Sequence, residues 1–202
     1  VDFSAGQVSS DGGALLLREV DEKLRLTERM AKCFVDYRNK DALEHSVQQL
    51  LAQRIYGLVL GYEDLNDHEE LSCDPLLATV IGKLDTNGEA RRNPKDRGHP
   101  LASPSTLGRL ERTKEDANQQ SRYEKIVCDF DALTDVFLQI FIESFKESPK
   151  RLIIDLDPSD IQLHGEQEKR FYHGYYRHHC YLPKYIFSGQ YPLLVKLRPS
   201  DI

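Results

Sequence analysis

The chain has 202 residues, 40% of them hydrophobic and 30% charged, with a formal net charge of −6. That length supports one large domain or two small ones with a buried core, and no apolar run reaches the roughly 20 residues of a membrane helix. The acidic balance excludes a uniformly basic nucleic-acid binder, but it permits a local basic face. Val1-Asp2-Phe3-Ser4 lacks the basic and apolar regions of a secretory signal. Cys33, Cys73, Cys128 and Cys180 are scattered and form no CxxC pair. That spacing argues against a zinc knuckle or a disulfide framework and fits a reducing cytoplasm. The sequence begins without Met and stops just after a strand-like run, so it reads as part of a longer protein.

The first two-thirds read as helical. Ser10 and Asp11 are N-cap candidates for a helix through "GGALLLREVDEKLRL", with Leu15, Leu16, Val20 and Leu24 on one face. A short helix is expected over 27–34. The strongest periodicity runs over 41–60, "DALEHSVQQLLAQRIYGLVL". There Leu43, Val47, Leu50, Leu51, Ile55, Leu58 and Val59 recur at helical spacing, and Gly61 supplies a stop. Short helices are expected over 64–71 and over 74–83, the second with Pro75 at its first position. The polar, Gly- and Pro-bearing stretch 85–100 reads as a loop.

In "SPSTLGRLERTK", Ser103 or Ser105 can cap a short helix that carries Arg109, Arg112 and Lys114. A helix N-terminus with basic residues suits phosphate contact, and equally a plain solvated helix. Residues 131–146 form an amphipathic helix that Pro149 follows. At Arg151 the character changes. A strand is expected over 152–157, followed by short Tyr-, Phe-, Val-, Ile- and Leu-rich runs broken by Gly174, Pro183, Gly189 and Pro192, an antiparallel pattern. The expected fold is therefore α+β: a helical N-terminal region over 1–147, then the first antiparallel strands of a second domain over 148–202.

The strand "LIIDLDPSD" ends an apolar run in carboxylates, which are costly there unless paired or bound to a cation. Alternation puts Asp155 and Asp157 on one face. Oxygen-only ligands suit Mg²⁺ or Mn²⁺, and Pro158 is expected to end the ladder. Such acids also cap turns or pair with a neighbouring Arg151 or Lys169. Two metal-dependent enzyme classes place Asp at the end of an apolar strand. Haloacid-dehalogenase-type phosphatases use DxDx[T/S/V], which Asp155-Leu156-Asp157-Pro158-Ser159 matches. There the first Asp is the nucleophile and the second the general acid. RNase H-like nucleases carry a metal-binding Asp on the first strand and continue directly into antiparallel strands. The hairpin-like sequence after Ser159 favours the second.

Several spaced blocks then carry a family resemblance. They are Asp155-x-Asp157-x-Ser159, His164-Gly165-x-Gln167-Glu168, Gly174-Tyr175-Tyr176, Cys180-Tyr181-Leu182-Pro183 and Leu197-Arg198-Pro199. Upstream lie "GYEDLNDHEELSCDPLL" and "LASPSTLGRLE". Together they resemble DDE transposases of the insertion-sequence-1380 family, transposase DDE domain group 1, over nearly the whole chain. Ser159 stands where that family usually has Thr. The resemblance implies cut-and-paste DNA transposition on an RNase H-like fold, with three acids holding two Mg²⁺ (or Mn²⁺) ions. By position Asp157 matches the first catalytic acid, with Asp155 as the alternative or as an auxiliary carboxylate. The second Asp and the Glu are expected further along than this chain, so alone it is expected to be inactive. The implied partners are the terminal inverted repeats of its element and a second copy in a synaptic complex, in the bacterial cytoplasm at the nucleoid. A non-catalytic DNA-binding remnant of a transposase is a third reading.

Residues 164–198 hold six basic residues against two acids, Glu166 and Glu168, with aromatics interleaved. Arg170 and, within "YYRHHCY", Arg177 and His178 are the nucleic-acid-binding candidates there. An ordinary sheet with one aromatic face explains most of the Tyr residues equally well. His173, His178 and His179 lack further ligands around them, and no His-based metal site is expected.

Overall fold

A computed structural model describes residues 9–199. They form two compact units that meet in sequence at Asp129 and Phe130. The first contains α1 (Ala14–Leu24), α2 (Leu26–Ala31), β1 (Phe34–Asp36), α3 (Val47–Leu60), α4 (His68–Leu71), α5 (Pro75–Val80), α6 (Pro104–Arg112) and β2 (Ile126–Cys128). The second contains α7 (Phe130–Glu143), β3 (Asp155–Pro158), β4 (Ile161–Gln162), β5 (Phe171–His173), β6 (His178–Tyr181), β7 (Lys184–Ser188) and β8 (Tyr191–Lys196). The fold is α+β, as expected. Helix α7, which the sequence groups with the N-terminal region, lies in the second unit, where it packs on β8.

Helix α3 is the axis of the first unit. It begins at Val47 rather than near Asp41, because Ser46 and Gln49 form a reciprocal capping box, which satisfies two otherwise orphaned backbone donors. Gly61, at φ 98°, ends it in the left-handed conformation that glycine adopts without strain. Leu50 and Leu51 pack with Ala102, Leu107, Leu110 and Ile126, while Ala52 and Tyr56 pack with Ala14, Leu71, Leu77 and Ala78. Asp21 links three helices by accepting from Thr27 N at 2.8 Å, Thr27 Oγ1 at 2.6 Å and Tyr56 Oη at 3.0 Å. Buried Gln53 brackets the backbone of Ala102, donating to its carbonyl and accepting from its amide, both at 2.9 Å. Those two bonds fix the entry of α6.

Three sequence expectations change in the first unit. The α1 stripe of Leu15, Leu16, Val20 and Leu24 is exposed. Ala14 and Leu17 make the core contact instead, since a small residue allows close approach to α5. Neither Ser10 nor Asp11 caps α1; its N-cap is Gly13, with no side-chain bond. The helix expected over 27–34 ends at Ala31, and Phe34 enters β1, which pairs antiparallel with β2 in the register Phe34↔Cys128. Three-residue strands this far apart leave too short a pattern to be read locally.

Two buried histidines give the first unit a pH signature. Burial, then the Arg54 charge, holds His68 at about 4. Burial, then the charges of Lys83, Arg91 and Arg38, holds His45 at about 2. Both lie below the ordinary value near 6.5. Between about 6.5 and 4 the unfolded chain therefore takes up protons that the folded chain refuses, so stability rises with pH through that window. The urea midpoint is expected to be level between about pH 7 and 8 and to fall steadily on acidification from about pH 7 to about pH 4. A midpoint unchanged across that range contradicts the buried neutral imidazoles.

In the second unit β3, β7 and β8 form one antiparallel sheet in that order, and β4, β6 and β5 form another. The smaller sheet is inserted between β3 and its partner β7. The strand expected over 152–157 is shifted: Leu152, Ile153 and Ile154 precede it and are exposed, and β3 runs from Asp155 to Pro158. Pro158 does not end the ladder but pairs with Lys184. Proline is tolerated there because β3 is an edge strand, with one side unpaired among the described residues.

Candidate functional site

Asp155 and Asp157 lie within β3, opposite Phe187 and Tyr185 of β7 respectively, and Leu156 between them lies opposite Ile186. Strand alternation therefore puts both carboxylates on one face, beside the stacked rings of Tyr185 and Phe187, whose centroids are 6.3 Å apart. Tyr191, which pairs with Ser188 on the Ile186 side of β7, takes Phe141 of α7 against its ring at 5.5 Å. The helix thus contacts the side of the sheet away from the two acids.

Both carboxylates are exposed. Neither has a hydrogen-bond or ion-pair partner among the described residues; Arg151 and Lys169 do not neutralise them. Two free oxygen donors two residues apart on an open strand face suit a hard divalent cation. Among the described residues no group of three or more His, Cys, Asp or Glu side chains is gathered for a metal. The donor set fits Mg²⁺ or Mn²⁺ in kind and supplies part of a full shell.

The six nucleic-acid candidates fall in two places. Arg109 and Arg112 lie in the last turn of α6, with Lys114 just beyond, and all three are exposed. Arg112 Nε donates to Gly108 O at 3.1 Å, and the Arg109 guanidinium lies 5.3 Å from the ring centre of Tyr123. In the smaller sheet, Arg170 donates to Gly165 O and reaches Glu166 at 3.5 Å. Exposed Arg177 turns the β5–β6 hairpin at φ 59°. His178 Nε2 meets Asp160 Oδ2 at 2.7 Å and stacks on Tyr176. Tyr172 and Tyr175 of the same hairpin are exposed.

Arg122, not among the sequence candidates, has its guanidinium 4.8 Å from the centre of the same Tyr123 ring. The Arg-Tyr dipeptide is a local signal, but its nearness to Arg109 arises from the packing of α6 on β2, where Leu107 and Leu110 meet Ile126. Asp160, the partner of His178, carries no local sequence signal of that pairing, since the two are 18 residues apart.

Pairing in both sheets is antiparallel, and no helix follows Ser159 among the described residues. A phosphatase of the DxDxS type needs a parallel strand and a helix there, so that alternative is not favoured. No described helix is long and apolar enough to cross a membrane. No curated protein and no solved structure matches the chain. The sequence profile described as Transposase DDE domain group 1 matches residues 1–202. With that profile matched from end to end, the chain belongs to the transposase DDE domain group 1 family.

Proposed function

We propose that this chain contributes the first catalytic acid of a cut-and-paste transposase of the insertion-sequence-1380 type. Asp157 is the acid and Asp155 its auxiliary. The observation that carries the reading is the pair of unneutralised carboxylates on one open face of an antiparallel edge strand, in a chain of a transposase family. The strand sequence β3, β7, β8 in spatial order supports an RNase H-like domain.

Asp155 and Asp157 would hold a divalent cation of the Mg²⁺ or Mn²⁺ kind through their carboxylate oxygens. Bound there, the ion supplies positive charge for attack of water or a 3′-hydroxyl on a phosphodiester. The chain itself orients the carboxylates by β-pairing to β7. The DNA partners are the terminal inverted repeats of the element, held by two copies in a synaptic complex, in the bacterial cytoplasm at the nucleoid. Arg109, Arg112, Lys114, Arg170, Arg177 and His178 are the proposed DNA contacts.

The test is cleavage by the full-length transposase of a plasmid carrying the element's ends. Divalent-dependent breaks at the repeat boundaries that leave 3′-hydroxyls are expected. Phosphate release from a monoester substrate, without any strand break, overturns the reading.

A further inference from the structure

We propose that Arg109 and Arg122, braced on the ring of Tyr123, form a clamp for the phosphate backbone of duplex DNA; the proposal rests on the DNA-processing reading above. Tyr123 is 57% exposed, with guanidinium groups at 5.3 and 4.8 Å from its ring centre. Neither guanidinium has an ion-pair partner among the described residues. Nearby Glu111 is engaged instead, by Arg54 at 2.5 Å. An arginine face laid on an aromatic ring keeps its planar N–H edge free, and that edge matches phosphate oxygens in pairs. Since guanidinium groups already lie against the ring, Tyr123 acts as a positioning residue rather than as a stacking surface for bases.

The local fold holds this arrangement in place. Arg109 projects from α6, whose Leu107 and Leu110 are buried with Ile126 of β2. The segment between α6 and β2 is braced by Asn118 N to Ser121 Oγ at 3.0 Å, Gln120 N to Asn118 Oδ1 at 2.9 Å and Lys125 Nζ to Gln119 O at 2.7 Å. Tyr37 N then bonds Lys125 O at 2.8 Å beside β1. Tyr123 thus sits two residues before an anchored point. Arg112 and Lys114 widen the basic surface, while Asp116 and Glu124 border it on the loop side. Backbone phosphates reward such charge without reading sequence.

The test is binding of the whole chain to a labelled random-sequence DNA duplex across a salt series. Each phosphate contact contributes about 0.9 to the slope of log affinity against log salt. The Arg109→Gln/Arg122→Gln variant is expected to lose about two from that slope, and Arg122→Gln alone about half as much. Tyr123→Phe keeps the wild-type affinity, whereas Tyr123→Leu weakens it although both charges remain. Circular dichroism melts of each variant verify the fold, and the single loop variant serves if the double one melts early. Wild-type slope and affinity in both arginine variants overturn the proposal while leaving the transposase reading intact. Absence of any DNA binding by the wild type overturns both. Tighter binding to a hairpin RNA than to the duplex overturns the DNA assignment.

Discussion

Replacing Asp157 with Asn is expected to lower strand cleavage by the full-length transposase by about a thousandfold or more. Asn keeps the size and one carbonyl oxygen but removes the negative charge that a hard divalent cation requires. Loss of the cation's charge from a developing transition state is worth several kcal/mol, and about 4 kcal/mol is roughly a thousandfold. Because Asp157 is exposed on an edge strand, the change is expected to leave the melting temperature unaltered. End binding, which uses residues elsewhere, persists. Asp155→Asn is expected to be milder, since its role is auxiliary. The reverse order of severity would make Asp155 the essential acid.

Leu50→Ala is expected to have the largest effect on stability in the first unit. Leu50 is fully buried on α3, in the cluster with Ala102, Leu107, Leu110 and Ile126. Truncation removes its transfer free energy and leaves a cavity that helices held by Gln53 and by the Ser46 capping box cannot close. The expected loss is about 3 kcal/mol, or roughly 10 °C in melting temperature. Leu16→Ala on the exposed face of α1 is the control, expected to shift the melt by less than about 2 °C. Equal shifts for the two variants would contradict the placement of the core.

The contrast between Leu50 and Leu16 also marks how much the sequence reveals. Long periodic segments with caps are legible: α3 with its Gly61 stop, α5 with Asp74 and Pro75, α6 and α7 all lie near where their patterns put them. Which face of α1 is buried is not legible, because leucines outnumber the Ala14 and Leu17 that make the contact. The β1–β2 pair escapes reading because each strand has three residues and its partner lies far along the chain. In the second unit, Asp155 and Asp157 lie in one strand, which is all that their placement on one face by alternation requires. The position of that strand slips, because the apolar run Leu152–Ile153–Ile154 resembles a buried strand although the pairing with β7 begins only at Asp155. Arg122 and Tyr123 are neighbours in sequence, but Arg109 joins them only through the tertiary packing of α6 on β2.

The most direct test of the central claim is metal-dependent rescue of Asp157→Cys in the full-length transposase. A thiolate is a poor ligand for hard Mg²⁺, and the softer Mn²⁺ accepts it more readily. The account predicts that this variant fails to cleave element ends in Mg²⁺ and regains measurable cleavage in Mn²⁺, while the wild type works in both. Cleavage in Mg²⁺ at the wild-type rate would contradict the assignment of Asp157 to the metal centre.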